Sequence, residues 1–217
     1  MRNPQSPDWD YFWSKEAKAG RRASWSKRRI LKVVEPFLEG RRQILDAGSG
    51  SGFFSKYFCG RGLTTVALDY SDEALFLTEQ LTQGRARTIK ADLLSENLAG
   101  IFKGKFDATF SDGLFEHFDS GEQDQILKNF LSILAPGGLI ITFVPNRFSP
   151  WEMIRPFFMP GIEEVPFVLS HLVRLHERHG LTLKKKGGIN TLPFLFSPDA
   201  LLGPYFGMLL YAIAEKR

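Results

Sequence analysis

The sequence predicts an α/β fold, a largely parallel sheet flanked by helices, on three observations. From about residue 30 onward, short apolar runs rich in Ile, Leu, Val, Thr and Phe alternate with longer stretches whose apolar residues recur at helical spacing. Residues 44–52, ILDAGSGSG, read as a buried strand running into a glycine-rich turn and then a helix. The 217 residues, 43% hydrophobic and 24% charged, have the composition of an ordinary globule, which excludes disordered, collagen-like and disulfide-scaffold classes. No Pro/Gly/Ser-rich linker divides the chain, so residues 1–217 are expected to form one domain.

In chain order, residues 1–40 are expected to form an N-terminal helical cap, because helical spacing runs over 8–38 with four aromatics between Trp9 and Trp13. Strands are expected at 43–47, 64–69, 88–91, 106–111 and 139–144, with helices at 52–59, 71–83 and 123–134 between them. Ser71 is a good N-cap before Asp72 and Glu73, and Pro136-Gly137-Gly138 is expected to stop the helix before the fifth strand. Prolines at 145, 150, 156, 160 and 166 break the next segment, so 145–168 is expected to be an inserted lid of loops or short helices. A helix over 167–179, a strand over 181–187 and a final strand over 208–215 complete the reading. The uncharged run 200–214 is too short, and too interrupted by Gly203, Pro204 and Gly207, to cross a bilayer.

The net charge of +4 is uneven: eleven of the 28 Lys+Arg residues fall in 1–42, against five of the 24 Asp+Glu. Arg21, Arg22, Lys27, Arg28, Arg29 and Lys32 make a solvated helix face or a surface for an acidic partner. The single cysteine, Cys59, forms no internal disulfide, and with no apolar leader at the N-terminus a cytoplasmic protein is expected. Twenty phenylalanines against five tyrosines need a place in the fold.

The turn at 46–52 carries the chemistry. A dinucleotide fingerprint counted from Gly48 needs a third glycine where Phe53 stands, and no G-K-[ST] follows, so neither dinucleotide nor P-loop binding fits. Asp46 at the strand end opposes a diphosphate and suits a cation, such as a sulfonium or an ammonium. Asp69 ends the second strand, where a carboxylate accepts from ribose hydroxyls. Asp92 follows the third strand, placed to accept from an exocyclic amine with Leu93 against a purine face.

With those pieces in order, the sequence resembles the class I S-adenosylmethionine-dependent methyltransferases, and within them the small-molecule group that includes quinone-biosynthesis enzymes. The resemblance covers roughly 40–190 and rests on ILDAGSGSG at 44–52, ALDYS at 67–71, KADL at 90–93, FDATFSDGLFEHF at 106–118 and LAPGGLIITFVPN at 134–146. It implies a Rossmann-like seven-stranded mixed sheet in the order 3-2-1-4-5-7-6, the seventh strand antiparallel. It also implies S-adenosyl-L-methionine as cofactor, S-adenosyl-L-homocysteine as product, and a small-molecule substrate. By resemblance, Asp46, Gly48, Gly50 and Gly52 lie along the methionine and ribose of the cofactor. Asp69 holds the ribose with Tyr70 beside the adenine, Asp92 accepts from the adenine amine, and Leu93 flanks the ring. Ser111, Asp112 and Gly113 lie under the methionine amino group and the sulfonium.

Methyl transfer from a sulfonium is an in-line displacement that chiefly needs alignment, which can supply about 7 to 11 kcal/mol. Where the acceptor needs a general base, His117, beside Glu116, is the candidate, the alternative being a helix-start residue bonded to backbone. No metal site is expected, because no Asp, Glu or Cys cluster completes the group His171, His176 and His179. Ser111-Asp112-Gly113-Leu114 stands where adenine N-methyltransferases carry [DN]-P-P-[FYW], and Cys59 is misplaced for a cytosine C5 enzyme, so nucleic acid is not the expected substrate. An apolar insert, with Phe148, Trp151, Met153, Phe157, Phe158, Met159 and Phe167, suggests an acceptor with an apolar or aromatic body, or else a lid core packed on Trp9, Phe12 and Trp13. Two other readings stand beside this one: a non-catalytic protein binding the cofactor or its product, and an RNA or protein methyltransferase docking its substrate on the basic N-terminus. Oligomeric state is not legible.

Overall fold

Strand β1 (Gln43–Ala47) is an apolar run with four of five residues buried, and it pairs in parallel on both sides, with β2 (Thr64–Asp69) and β4 (Phe106–Asp112). This is a computed structural model describing residues 8–18, 24–94, 97–102, 104–158, 164–194 and 196–217. Beyond β2 lies β3 (Arg87–Lys90), and beyond β4 lies β5 (Leu134–Pro145), both parallel to their neighbours. β7 (Leu209–Glu215) pairs antiparallel with β5 and with β6 (Thr182–Ile189). The sheet order is 3-2-1-4-5-7-6, as the resemblance implied.

Helices α1 (Trp9–Lys18) and α2 (Trp25–Val34) precede the sheet. Ser24 caps α2 by accepting from the Lys27 amide. Crossovers are made by α3 (Phe53–Gly60), α4 (Asp72–Thr82), the short α5 (Leu98–Ile101) and α6 (Ser120–Ile133). Ser71 caps α4 as expected, and Asp119 with Glu122 forms a capping box at α6. Beyond β5 come α7 (Trp151–Phe158), α8 (Leu169–Glu177) and α9 (Asp199–Phe206).

Nine of the twenty phenylalanines are buried on the two faces of the sheet. One face packs Phe54, Phe58, Phe110 and Phe143 beside Tyr211, with adjacent ring centroids 4.7 to 6.0 Å apart. The other buries Phe102, Phe106, Phe115, Phe130 and Phe167. Burying each ring rather than exposing it stabilises the fold by roughly 1.5 to 3 kcal/mol before chain entropy is counted.

Three expectations are corrected. The fifth strand begins at Leu134 rather than 139, because α6 ends at Ile133 and the Pro136-Gly137-Gly138 segment already pairs with the C-terminus, Gly137 N–H to Lys216 O and Lys216 N–H to Gly138 O. No element was expected between the sixth strand and the last, and α9 forms there ahead of β7. His179 falls beyond α8: it bonds Asp124, His171 stacks on Phe167, and His176 is buried against Thr142, so the three imidazoles serve separate neighbours. Among the described residues no helix is long and apolar enough to cross a membrane.

Candidate functional site at the C-terminal edge of the sheet

The order 3-2-1-4 reverses direction between β1 and β4, and in open α/β sheets ligands bind in the crevice beyond the strand ends at that point. Asp46 and Asp112 sit at those two strand ends, and both line a cavity of about 200 Å³ with Gly48, Ser49, Gly50, Ser51 and Gly113.

The glycine loop is shaped by positive φ at Gly48 (+70°), Gly50 (+50°) and Gly52 (+75°), a backbone that side-chain-bearing residues rarely adopt. A Cβ on Gly52 would stand 2.6 Å from the Cα of Thr78, so this glycine lets α3 start directly against α4. Gly50 N–H donates to Asp69 Oδ2 at 2.9 Å, and Ser71 N–H donates to Oδ1 at 3.0 Å, which fixes the second strand-end acid beneath the loop.

Burial pushes the Asp46 carboxyl up to about 7; Ser55 Oγ, donating at 2.6 Å, opposes the rise, and the nearby Asp69 and Asp112 add to it. Asp112 is also raised to about 7 by burial, partly countered by the Lys27 ammonium. Asp69 is raised by burial and held back by its backbone donors. Glu116, 2% exposed, is pushed well above its ordinary range by burial, with Glu164, Asp112 and Glu152 adding repulsion. The crevice thus collects carboxylates whose charged forms favour a cation over an anion.

The expected site residues separate into two groups. Asp46, Gly48, Gly50, Asp112, Gly113, Glu116 and His117 converge on the cavity. Gly52, Asp69, Tyr70, Asp92, Leu93 and Ser111 lie outside its lining. Of these, Asp92 accepts from the Leu94 amide at 2.9 Å, Leu93 belongs to the core, and Ser111 is fully buried with an unpartnered Oγ. Tyr70 is 40% exposed with the Lys90 ammonium over its ring.

Several lining residues lie outside the expected site set, though Trp9, Phe12 and Trp13 were expected in the N-terminal cap. Trp9, Phe12 and Trp13 of α1 cover the mouth, with Trp9 against the His117 ring at 4.9 Å between centroids. The Trp13 indole rests on the glycine loop so closely that a Cβ on Gly50 would meet it at 2.5 Å. Asp10 clasps α1 to α4 by accepting from Ser71 Oγ and the Glu73 amide. The lid insert contributes Glu164 to the wall rather than its aromatics: Phe148, Met153 and Phe157 are exposed, and Phe167 packs in the core. The side chain of Phe158 and all of Met159, Arg21 and Arg22 lie outside the described residues. Of the remaining basic residues, Lys27 lines the cavity, and Arg29 bonds Asn190, the Leu192 carbonyl and Asp199 within the fold.

Residues 44–138 match the methyltransferase domain family. A ubiquinone biosynthesis O-methyltransferase of Caulobacter sp. (strain K31) is 35% identical over 119 residues, 52% of this chain and 43% of that protein. A probable S-adenosylmethionine-dependent methyltransferase of Mycolicibacterium smegmatis is 30% identical over 113 residues, 50% of this chain and 41% of that protein. The chain therefore spans about two fifths of the length of these curated relatives. The N-methyltransferase NodS of Bradyrhizobium japonicum, solved with S-adenosyl-L-homocysteine, superposes with a TM-score of 0.68 at 15% identity, over 97% of this chain and 99% of that one. The shared fold extends from the cap to the last strand.

Proposed function

We propose that this chain, whose residues 44–138 match the methyltransferase domain family, is a class I S-adenosylmethionine-dependent methyltransferase that transfers a methyl group to a small molecule in the crevice between β1 and β4. The observation that carries the reading is the pair Asp46 and Asp112, both raised to about 7, facing one cavity beside a glycine loop open to close approach. That donor set fits the cofactor. The carboxylates offset the positive charge of a sulfonium and an ammonium, and the loop backbone admits a chain that any Cβ would obstruct. Asp69 has accepting capacity left for ribose hydroxyls beyond its two backbone bonds. When bound, the cofactor supplies an activated methyl group.

The chain's own residues then align and enclose. A cavity of about 200 Å³ is below the roughly 300 to 1,000 Å³ of ordinary ligand pockets, because the α1 aromatics fill part of it. Withdrawal of α1 would admit cofactor and acceptor, and on its return Trp9, Phe12 and Trp13 would exclude water and pack against an apolar or aromatic acceptor body. His117, at the mouth beside Trp9, is placed to take a proton from an acceptor hydroxyl or amine, with Glu116 beneath it. Cytoplasmic location accords with this reading.

Calorimetric titration with S-adenosyl-L-methionine tests binding, and absence of heat at millimolar cofactor overturns the proposal. A metabolite screen with labelled methyl donor separates transfer from mere binding: labelled product supports an enzyme, while tight cofactor binding without any labelled product supports a binding protein. For the base, single-turnover transfer by His117→Ala should slow at least tenfold; a smaller loss removes His117 from the chemistry.

A further inference from the structure

We propose that Glu116, His117 and Glu164 form a binding site for a divalent first-row metal ion at the acceptor end of the crevice. The ion site stands on its own geometry, while its place at the acceptor end rests on the transferase reading; an imidazole bound to the ion cannot also take the acceptor proton, so with the ion present His117 is a ligand in place of the base. One ligand atom from each of the three side chains lies within 4.8 Å of the others. Ligands around such an ion stand about 2.1 Å from it, hence up to about 4.2 Å from one another. Shifts of well under an ångström in side chains that face an open cavity close the set.

A second observation comes from Glu116 itself. It is 2% exposed, lines the cavity, and its Oε2 is buried without a hydrogen-bond partner. A buried carboxylate oxygen left bare costs free energy unless something binds it, and a cation removes that cost. The surroundings also carry surplus negative charge. Asp46, Asp112, Glu116 and Glu164 line one cavity with Lys27, while the guanidinium of Arg155 contacts Glu152 and Glu164 at 3.3 and 3.5 Å.

That guanidinium holds Glu164 from behind, as hydrogen-bonded partners commonly orient metal-binding carboxylates. The Val165 amide donates to the Glu116 carbonyl at 2.9 Å, so the backbone brings the lid's acid to the β4 side of the crevice. Two carboxylates and one imidazole suit Mn²⁺, Co²⁺ or Zn²⁺ better than a soft monovalent ion. Three protein ligands leave positions for water and for an acceptor oxygen, so the ligand class is an acceptor bearing a hydroxyl or carboxylate. The sequence reading expected no metal because it weighed only the group His171, His176 and His179; Glu164 lies 47 positions from His117, and the fold brings the two together.

The test is titration of Mn²⁺ and Co²⁺, each alone, into the EDTA-treated full chain, followed by calorimetry and by cobalt visible absorption. One ion per chain is expected, with at least about tenfold weaker binding in Glu164→Gln and in His117→Ala. Circular dichroism and thermal melting establish that each variant is folded. Should Glu164→Gln fail to fold, His117→Ala carries the test. No binding at millimolar ion, or unchanged affinity in the folded variants, overturns the proposal. S-adenosyl-L-methionine titrated into the same metal-free protein keeps the two readings apart, since cofactor binding without metal binding defeats the metal site alone.

Discussion

Replacing Asp46 by Asn isolates what a buried charge costs this fold. The folded Asp46 carboxyl titrates at about 7 against an ordinary value of 3.8, chiefly because burial disfavours its anion. A difference of that size makes the charged form about 4 kcal/mol harder to hold in the folded chain than in the unfolded one. Below pH 3.8 both states keep the proton and nothing is lost. Between 3.8 and 7 the unfolded chain releases it while the folded chain does not, so stability falls as pH rises, and above about 7 the full cost stands. Asn has no such titration, and its amide oxygen can still accept from Ser55 Oγ, now at 2.6 Å from the carboxylate. Urea unfolding followed by tryptophan fluorescence, without cofactor, gives the stability of both proteins from pH 4 to 8.5. Their difference should be near zero at pH 4 and grow to about 4 kcal/mol in favour of the Asn variant at pH 8.5. A difference staying under about 1 kcal/mol, or a variant less stable at pH 8.5, would refute the reasoning. Cofactor should reverse the ranking by binding the wild type alone, since its positive charge removes the cost that Asp46 otherwise imposes.

Three further outcomes follow from described contacts. His176 is fully buried between Thr142 and the Leu172 carbonyl, and burial lowers it to about 4 from 6.5. The unfolded chain takes up a proton first on acidification, so stability falls from pH 6.5 down to 4 by up to about 3 kcal/mol, and a folded His176→Gln should lack that component in the same urea series. Gly52→Ala combines left-handed backbone strain with a backbone clash at Thr78, whereas Gly40→Ala, at φ +73° with nothing within 4 Å, meets strain alone. Thermal unfolding should place Gly52→Ala at least about 2 kcal/mol below Gly40→Ala, and equal stabilities would mean the close approach at Thr78 is easily relaxed. Gly50→Ala crowds the Trp13 indole and the cofactor path together, and should weaken S-adenosyl-L-methionine binding by more than tenfold in calorimetry; a loss under threefold would place the cofactor elsewhere.

Strands β1 and β2 were legible to the residue because each is a short, mostly apolar run with an acid at or next to its C-terminal end, and that acid marks the functional edge as well. The start of β5 was not, since Pro136-Gly137-Gly138 has the local chemistry of a turn, and only pairing with the C-terminal strand extends it. Gly203 and Pro204 were weighed only against a bilayer span, and no helix was expected where α9 forms. There Gly203 meets Gly188 of β6 backbone to backbone, a contact that exists only once the sheet does. The site follows the same division. Asp46, Asp112, Glu116 and His117 declare themselves by position after a strand, while Lys27, Trp13 and Glu164 arrive from other parts of the chain through tertiary packing. The aromatic insert misled because hydrophobicity does not say which way a side chain faces: Met153 is 80% and Phe157 85% exposed.

The position of α1 has a kinetic meaning. Trp13 lies on Gly50, and the clasp through Asp10 ends on Ser71, two residues beyond the acid expected at the ribose. On the proposed function a cofactor and this helix would compete for one surface, and the molecule would be ready to bind only during the fraction of time the clasp is undone. Apparent affinity is the intrinsic affinity scaled by that fraction. Association then speeds up with cofactor concentration only until it reaches the rate at which the helix lets go. The clasp through Asp10 would then set the tempo at which the crevice accepts the proposed cofactor.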